Sequence, residues 1–290
     1  MKRCFRQTEG GQIMRKRTAI LATLTGILLL GAAVWGQNAP RPKSQKELDG
    51  LKAIDTAPSA DLKLQKIDDF LAAFADSEYR FVLLDNAVGI ASEKNDYPLA
   101  MAWGQRDLDV NPKSYVAMVS LALVTANTTK EFDLDKDQKL KQAEKWANDA
   151  LELLKTATRP FQYPEDRWPE IQKTFQGSCH QALALIGMVR KKYDVAASEF
   201  QAAYDLLPEP SYLVRKGEAE TKSGKFDDAI ATFDKVLATP NLSPVVKRIT
   251  ENMKNDAIRR KGGPAAAPAP APAAPPPQAP PPTAPEGEKK

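Results

Sequence analysis

From residue 44 onward the chain returns a hydrophobic side chain every three or four positions, against a background rich in Ala, Leu, Lys, Glu and Asp. That is the period of an amphipathic α-helix. Alternating β-branched runs bounded by turns, the mark of strands, are scarce. The pattern predicts helices over 45–54, 60–74, 79–93, 97–109, 113–126, 138–156, 168–190, 194–206, 210–222, 226–238 and 243–260. Several ends carry chemical signals. Ser243-Pro244 places a capping serine ahead of a proline at the first helical position, Asp194 and Asp227 fall in opening turns, and Pro112, Pro208 and Pro240 mark stops. The predicted fold class is all-α, in short antiparallel helix pairs over 44–260.

Two of these helices repeat one another. KYDVAASEFQAAYDLLPEP and KFDDAIATFDKVLATPN align Tyr193 with Phe226, Ala196 with Ala229 and Phe200 with Phe233, each pair 33 residues apart. Small residues let paired helices approach, aromatics fill the gap between units, and glycine or proline reverses the chain. With Ala203, Pro208, Val236 and Pro240 following, and Gly217 and Gly224 at a first-helix contact and an inter-helix turn, the segment resembles the tetratricopeptide repeat, whose period is about 34. Fainter copies lie upstream, at Tyr97, Ala100, Trp103 and Pro112 and at Ala143, Trp146, Ala147 and Ala150. DDFLAAFADSEYRF resembles a turn of bacterial outer-membrane-assembly tetratricopeptide proteins through Phe70, Phe74, Ser77 and Tyr79, with Ala75 where proline is usual. The resemblance covers roughly 60–240 and implies a solenoid of helix pairs, a tetratricopeptide-like superhelix.

The ends are different material. Residues 1–17 carry six basic groups and one acid, and an uncharged stretch, TAILATLTGILLLGAAVW, follows over 18–35. A basic cluster before an apolar run is the layout of a signal peptide, and the run is also long enough to span a bilayer, so 1–36 is expected to be a signal peptide or an N-terminal membrane anchor. The bulk of the chain is then extracytoplasmic, in the periplasm, either secreted or held to the inner membrane. Met14, directly before Arg15-Lys16-Arg17, is an alternative start that would remove Cys4. Residues 37–43 read as a polar linker. At the other end, residues 261–290 hold 11 of the 23 prolines, all between Pro264 and Pro285, and are expected to be a disordered Pro/Ala-rich tail, a spacer or a docking strand.

Charge and side-chain chemistry exclude several function classes. Most of the net +4 belongs to the first 17 residues; without them 35 basic groups face 36 acidic ones, which leaves no basic footprint for nucleic acid. The one histidine, His180, falls at a helix-packing position and is adjacent to Cys179, about 100° away around a helix, so the two do not face each other. Phosphate-binding glycine loops are absent. Asp133, Asp135, Asp137 and Glu144 reproduce the acidic spacing of a calcium loop, but Gln138 stands where the turn glycine belongs and Lys136, Lys139 and Lys141 crowd the sequence. A solvated loop with Asp135 or Asp137 capping the next helix is the competing reading. The aromatic-rich segment 156–170, with Phe161, Tyr163 and Trp168, interrupts the repeat and is expected either to pin itself to the scaffold or to bind.

These features together predict a non-catalytic protein–protein interaction scaffold of the bacterial cell envelope, with no cofactor. The alternatives are a component of outer-membrane protein assembly and a calcium-responsive protein using 133–144. The family resemblance implies a groove lined by first helices, at Ala117, Leu121 and Val124, then Gln181, Leu185 and Met188, then Glu218. Such a wall is mostly apolar. It suits an amphipathic helix or an extended apolar segment of a partner, unless the 156–170 segment or the 243–260 helix fills it.

Overall fold

The computed structural model describes residues 40–262, and the leader and the Pro/Ala-rich tail lie outside them. Among the described residues there are eleven α-helices: α1 Gln45–Asp55, α2 Ala60–Ala73, α3 Arg80–Glu93, α4 Tyr97–Val110, α5 Tyr115–Thr128, α6 Lys136–Thr156, α7 Trp168–Val189, α8 Tyr193–Leu206, α9 Pro210–Lys222, α10 Phe226–Leu237 and α11 Pro244–Gly262. Each helix packs on its neighbour in sequence, and the first helices of successive pairs also meet, α3 with α5 and α5 with α7. The observed bounds lie within about two residues of those the periodicity predicts, because caps fix them locally. Ser44, Ser59, Asp96 and Ser114 each accept a hydrogen bond from the backbone N–H three residues on. Asp135 holds the N-cap position of α6 without capping it; its carboxylate turns to Lys139, 2.9 Å away.

Three turns inside helix pairs share one geometry. Asn95, Lys191 and Gly224, each two residues before the aromatic that opens the second helix, have φ of 54°, 60° and 81°. The next residue's N–H returns to the carbonyl five residues back: Asp96 to Ala91, Lys192 to Gly187 and Lys225 to Glu220. This left-handed closure satisfies the last carbonyls of the first helix. Gly224 and Asn95 are residue types that take it readily; Lys191 adopts it against its own backbone preference. The α5–α6 connection departs from this scheme, with a longer loop over 129–135.

The repeat residues form the packed seams. Ala196, Phe200, Ala203, Ala229 and Phe233 are buried, while the leading aromatics Tyr193 and Phe226 are half-buried. Glycine is needed where helices meet most closely. A Cβ on Gly217 would sit 2.5 Å from Phe233 Cε1, and one on Gly187 would sit 3.1 Å from Ala196. Exposed ion pairs mark the same repeat along one edge: Asp61–Lys94, Glu131–Lys191, Asp194–Lys225 and Asp227–Lys261. Each is worth little, so the seams and not the ion pairs hold the array together.

Candidate functional site

The expected binding residues lie along the first helices of the pairs, and the structure divides them into two groups. Leu121 and Val124 of α5 are buried, as is Ala117. Leu121 fills the space over Gly104 of α4, where a Cβ would lie 2.8 Å from its Cγ. Neither Leu121 nor Val124 can meet a partner; this corrects the expectation from the repeat alignment. The half-exposed face of α5 is instead Val116, Ser120 and Leu123, and Ser120 Oγ lies 2.8 Å from Ser92 Oγ of α3. The physical reason is that α5 is apolar on nearly every side, so periodicity leaves its rotation about its own axis undetermined.

Gln181, Leu185 and Met188 of α7 and Glu218 of α9 are half-exposed and run along the first helices of consecutive pairs. Tyr212 on α9 donates its hydroxyl to Gln181 Oε1 at 3.3 Å. Burial pushes the Tyr212 phenol up to about 12. Leu185 rests on the small cluster of Ala126, Leu140, Ala143 and Ile186, with a flank still open. Glu218 sits between Arg215 at 3.1 Å and Lys222 at 2.9 Å. Burial raises its carboxyl, but the bonds and charges of those two cations outweigh that and leave it below the usual carboxylate range. The stripe therefore offers an apolar centre, Leu185 and Met188, bounded by an amide and a salt-bridged carboxylate.

The N-terminal ends of α3 and α5 are covered by the chain itself. The connection between α6 and α7, residues 157–167, runs back over the N-terminal ends of α5 and α3. Gln172 Nε2 donates to Leu154 O at 2.5 Å across its base, and Arg159 Nη1 donates to Tyr163 O at 2.7 Å within it. Phe161 meets Tyr79, at the start of α3, edge-on with ring centroids 6.1 Å apart. Tyr163 is buried and stacks on Trp168 at 5.8 Å and 13°. Of the two roles open to this aromatic segment, the geometry shows the first: its rings face the scaffold.

Beneath it lies a polar cluster that residue spacing does not reveal. The Ser114 hydroxyl is 2.6 Å from Asp107 Oδ2 and 3.1 Å from Asp85 Oδ1, so carboxyls from α4 and α3 converge on the residue that caps α5. Asp107 has no exposed surface. Burial, then the negative charge of Asp107, holds the Asp85 carboxyl well above the usual range. Burial also raises Asp107, partly offset by Ser114 and Asp85. Burial and the charge of Asp85 push the Tyr163 phenol upward as well.

The remaining candidates are structural. Lys139 lies 3.6 Å from Asp133 and 2.9 Å from Asp135, in the place a cation would take between them. Glu144 is turned to Arg190 at 2.7 Å. Asp133, Asp135, Asp137 and Glu144 are therefore not brought together, and among the described residues no group of three or more His, Cys, Asp or Glu is placed to hold a metal ion. Cys179 is buried, and burial raises its thiol to about 12. His180 Nδ1 pairs with Glu199 Oε2 of α8 at 2.7 Å. The Phe70–Tyr79 turn faces inward: Ser77 donates to the buried Glu47, and Tyr79 donates to Pro40 O at 2.6 Å. Lys43 bonds Asp76 across the same turn, so residues 40–43 are docked rather than free as a linker would be. Among the described residues no helix is long and apolar enough to cross a membrane.

No protein-family model matches the sequence, and no curated protein matches it. Among solved structures, the chain is similar to the crystal structure of a thermophilic tetratricopeptide repeat protein of Thermus thermophilus, with 14% identity, a TM-score of 0.47, 71% of this chain covered and 98% of the other. The packing itself, with small residues at the close contacts and buried aromatics between pairs, makes the described region an all-α array of antiparallel helix pairs.

Proposed function

We propose that the protein is an exported, non-catalytic scaffold of the bacterial cell envelope that binds an apolar helical or extended segment of a partner protein along α7 and α9. The observation that carries this reading is the division of the first-helix wall. Residues 157–167 cover the N-terminal ends of α3 and α5, while Gln181, Leu185, Met188 and Glu218 stay half-exposed along α7 and α9. Helix-pair arrays present such walls to partner segments. The basic and apolar leader at 1–36 supports export, with the chain secreted or anchored at the periplasmic face of the inner membrane.

The test is capture from envelope extract with the mature chain as bait, comparing Leu185→Asp with Val195→Asp on the exposed side of α8. A specific partner should be lost with the first variant and kept with the second. A partner that tolerates Leu185→Asp, or is lost equally with both, removes α7 as the binding surface.

A further inference from the structure

A buried carboxyl and a half-buried one that share one hydroxyl and meet no cation weaken a fold once both are charged. The groups that face the pair can be named for each element around it. Asp85 comes from α3, Asp107 from α4, Ser114 and Tyr115 from the start of α5, and Tyr163 from the covering segment. All are acids or neutral hydroxyls. The nearby cations point elsewhere: Arg106 bonds Asp68 of α2 and lies over Trp103, Arg80 donates to Ala75 O, and Arg159 donates to Tyr163 O.

We propose that Asp85, Asp107 and Ser114 form a proton-keyed latch for residues 157–167. One proton shared between the carboxyls lets Tyr163 and Phe161 lie down over α3 and α5, and its loss to solvent releases them. With the proton in place, one carboxyl is a neutral donor and the other a single buried charge held by Ser114. Without it, two negative charges meet at one hydroxyl, one of them on Asp107, which has no exposed surface and so no water to solvate it. The covering segment has no regular secondary structure, and it lies on the elements around the pair through the packing of Phe161 on Tyr79 and of Tyr163 in the cluster that includes Met118 and Phe175. Its release uncovers the N-terminal ends of α3 and α5 in the first-helix wall. The inference rests on the proposed use of that wall for binding, as a means of regulating it.

Hydrogen exchange on the full chain tests the latch without any partner, so its failure is separate from failure of the binding proposal. With rates corrected for the intrinsic effect of pH, the amides of 157–167 should lose protection as pH rises, by at most about tenfold per pH unit for one linked proton, while those of α8 and α10 keep theirs. In Asp107→Asn the protection of 157–167 should no longer vary with pH. Should that variant fail to fold, Asp85→Asn at the half-exposed member of the pair gives the same reading. Wild-type protection that is constant across pH, or a pH response that survives whichever of the two variants folds, overturns the latch.

Discussion

Replacing Gly217 by alanine separates two opposing effects of known size. In an open helix the change stabilises by about 0.8–1 kcal/mol, because alanine loses less backbone entropy. At this position the new methyl would meet Phe233 at 2.5, 2.7 and 2.9 Å from Cε1, Cζ and Cδ1. Carbon contacts settle at about 3.5–4.0 Å, so the ring has to retreat by about 1 Å. Phe233 has no exposed surface and is enclosed by Ala229, Ala257, Ile230 and Met253. Overpacking of this kind costs about 1–3 kcal/mol. With three ring atoms involved, the upper part of that range applies, and after the propensity gain the net loss is about 1–2 kcal/mol. Urea denaturation followed by circular dichroism reads it as a lower midpoint at unchanged slope. Gly262→Ala, where the new Cβ meets nothing within 4 Å, serves as the control and should not destabilise. Adding Phe233→Leu to Gly217→Ala should recover more than the single variants imply, since the two sites are in contact. If Gly217→Ala is as stable as the wild type or more so, the close approach of α9 and α10 does not depend on glycine and the packing argument fails.

The carboxyl pair predicts how stability varies with pH. Both groups are raised in the folded chain, so the folded state holds a proton that the unfolded state has released; the stability this gives is present below the ordinary carboxylate range and is lost as pH rises through the raised values. Asp107→Asn should flatten that decline in a urea series run from about pH 5 upward, and an unchanged slope would count against the pair as its origin. Cys179, buried and with its thiol raised to about 12, should resist alkylation in the native chain and react on unfolding, which peptide mapping after iodoacetamide treatment checks. Ser77→Ala removes a donor from the buried Glu47 and should cost about 1–3 kcal/mol, with faster amide exchange across 40–47 as the local readout.

Helix number, order and bounds were legible because they rest on short-range chemistry. A serine ahead of a proline at a first turn, or an apolar face of period 3.6, acts within one or two turns of chain, and Ser243-Pro244 was read directly. The seams of α8 and α10 were legible for a related reason: Ala196, Phe200, Ala229 and Phe233 recur at a fixed interval, and a repeat copies its contacts along with its residues. The candidate site was legible only in part. Gln181, Leu185, Met188 and Glu218 are half-exposed on helices whose polar faces define their rotation, whereas Leu121 and Val124 lie on α5, where apolar residues on nearly every side give no face to prefer.

The sequence by itself therefore determined an all-α chain of paired helices and the residues that pack the later pairs. Tertiary structure alone decided the rotation of α5, the inward use of Ser77 and Tyr79, the path of 157–167 back to Tyr79, and the meeting of Asp85 with Asp107 at Ser114. The physical reason is range. Helix periodicity and capping are written in neighbouring residues, but which half-buried acid meets which depends on how three helices and a connecting segment come to rest against one another, and no local pattern carries that information.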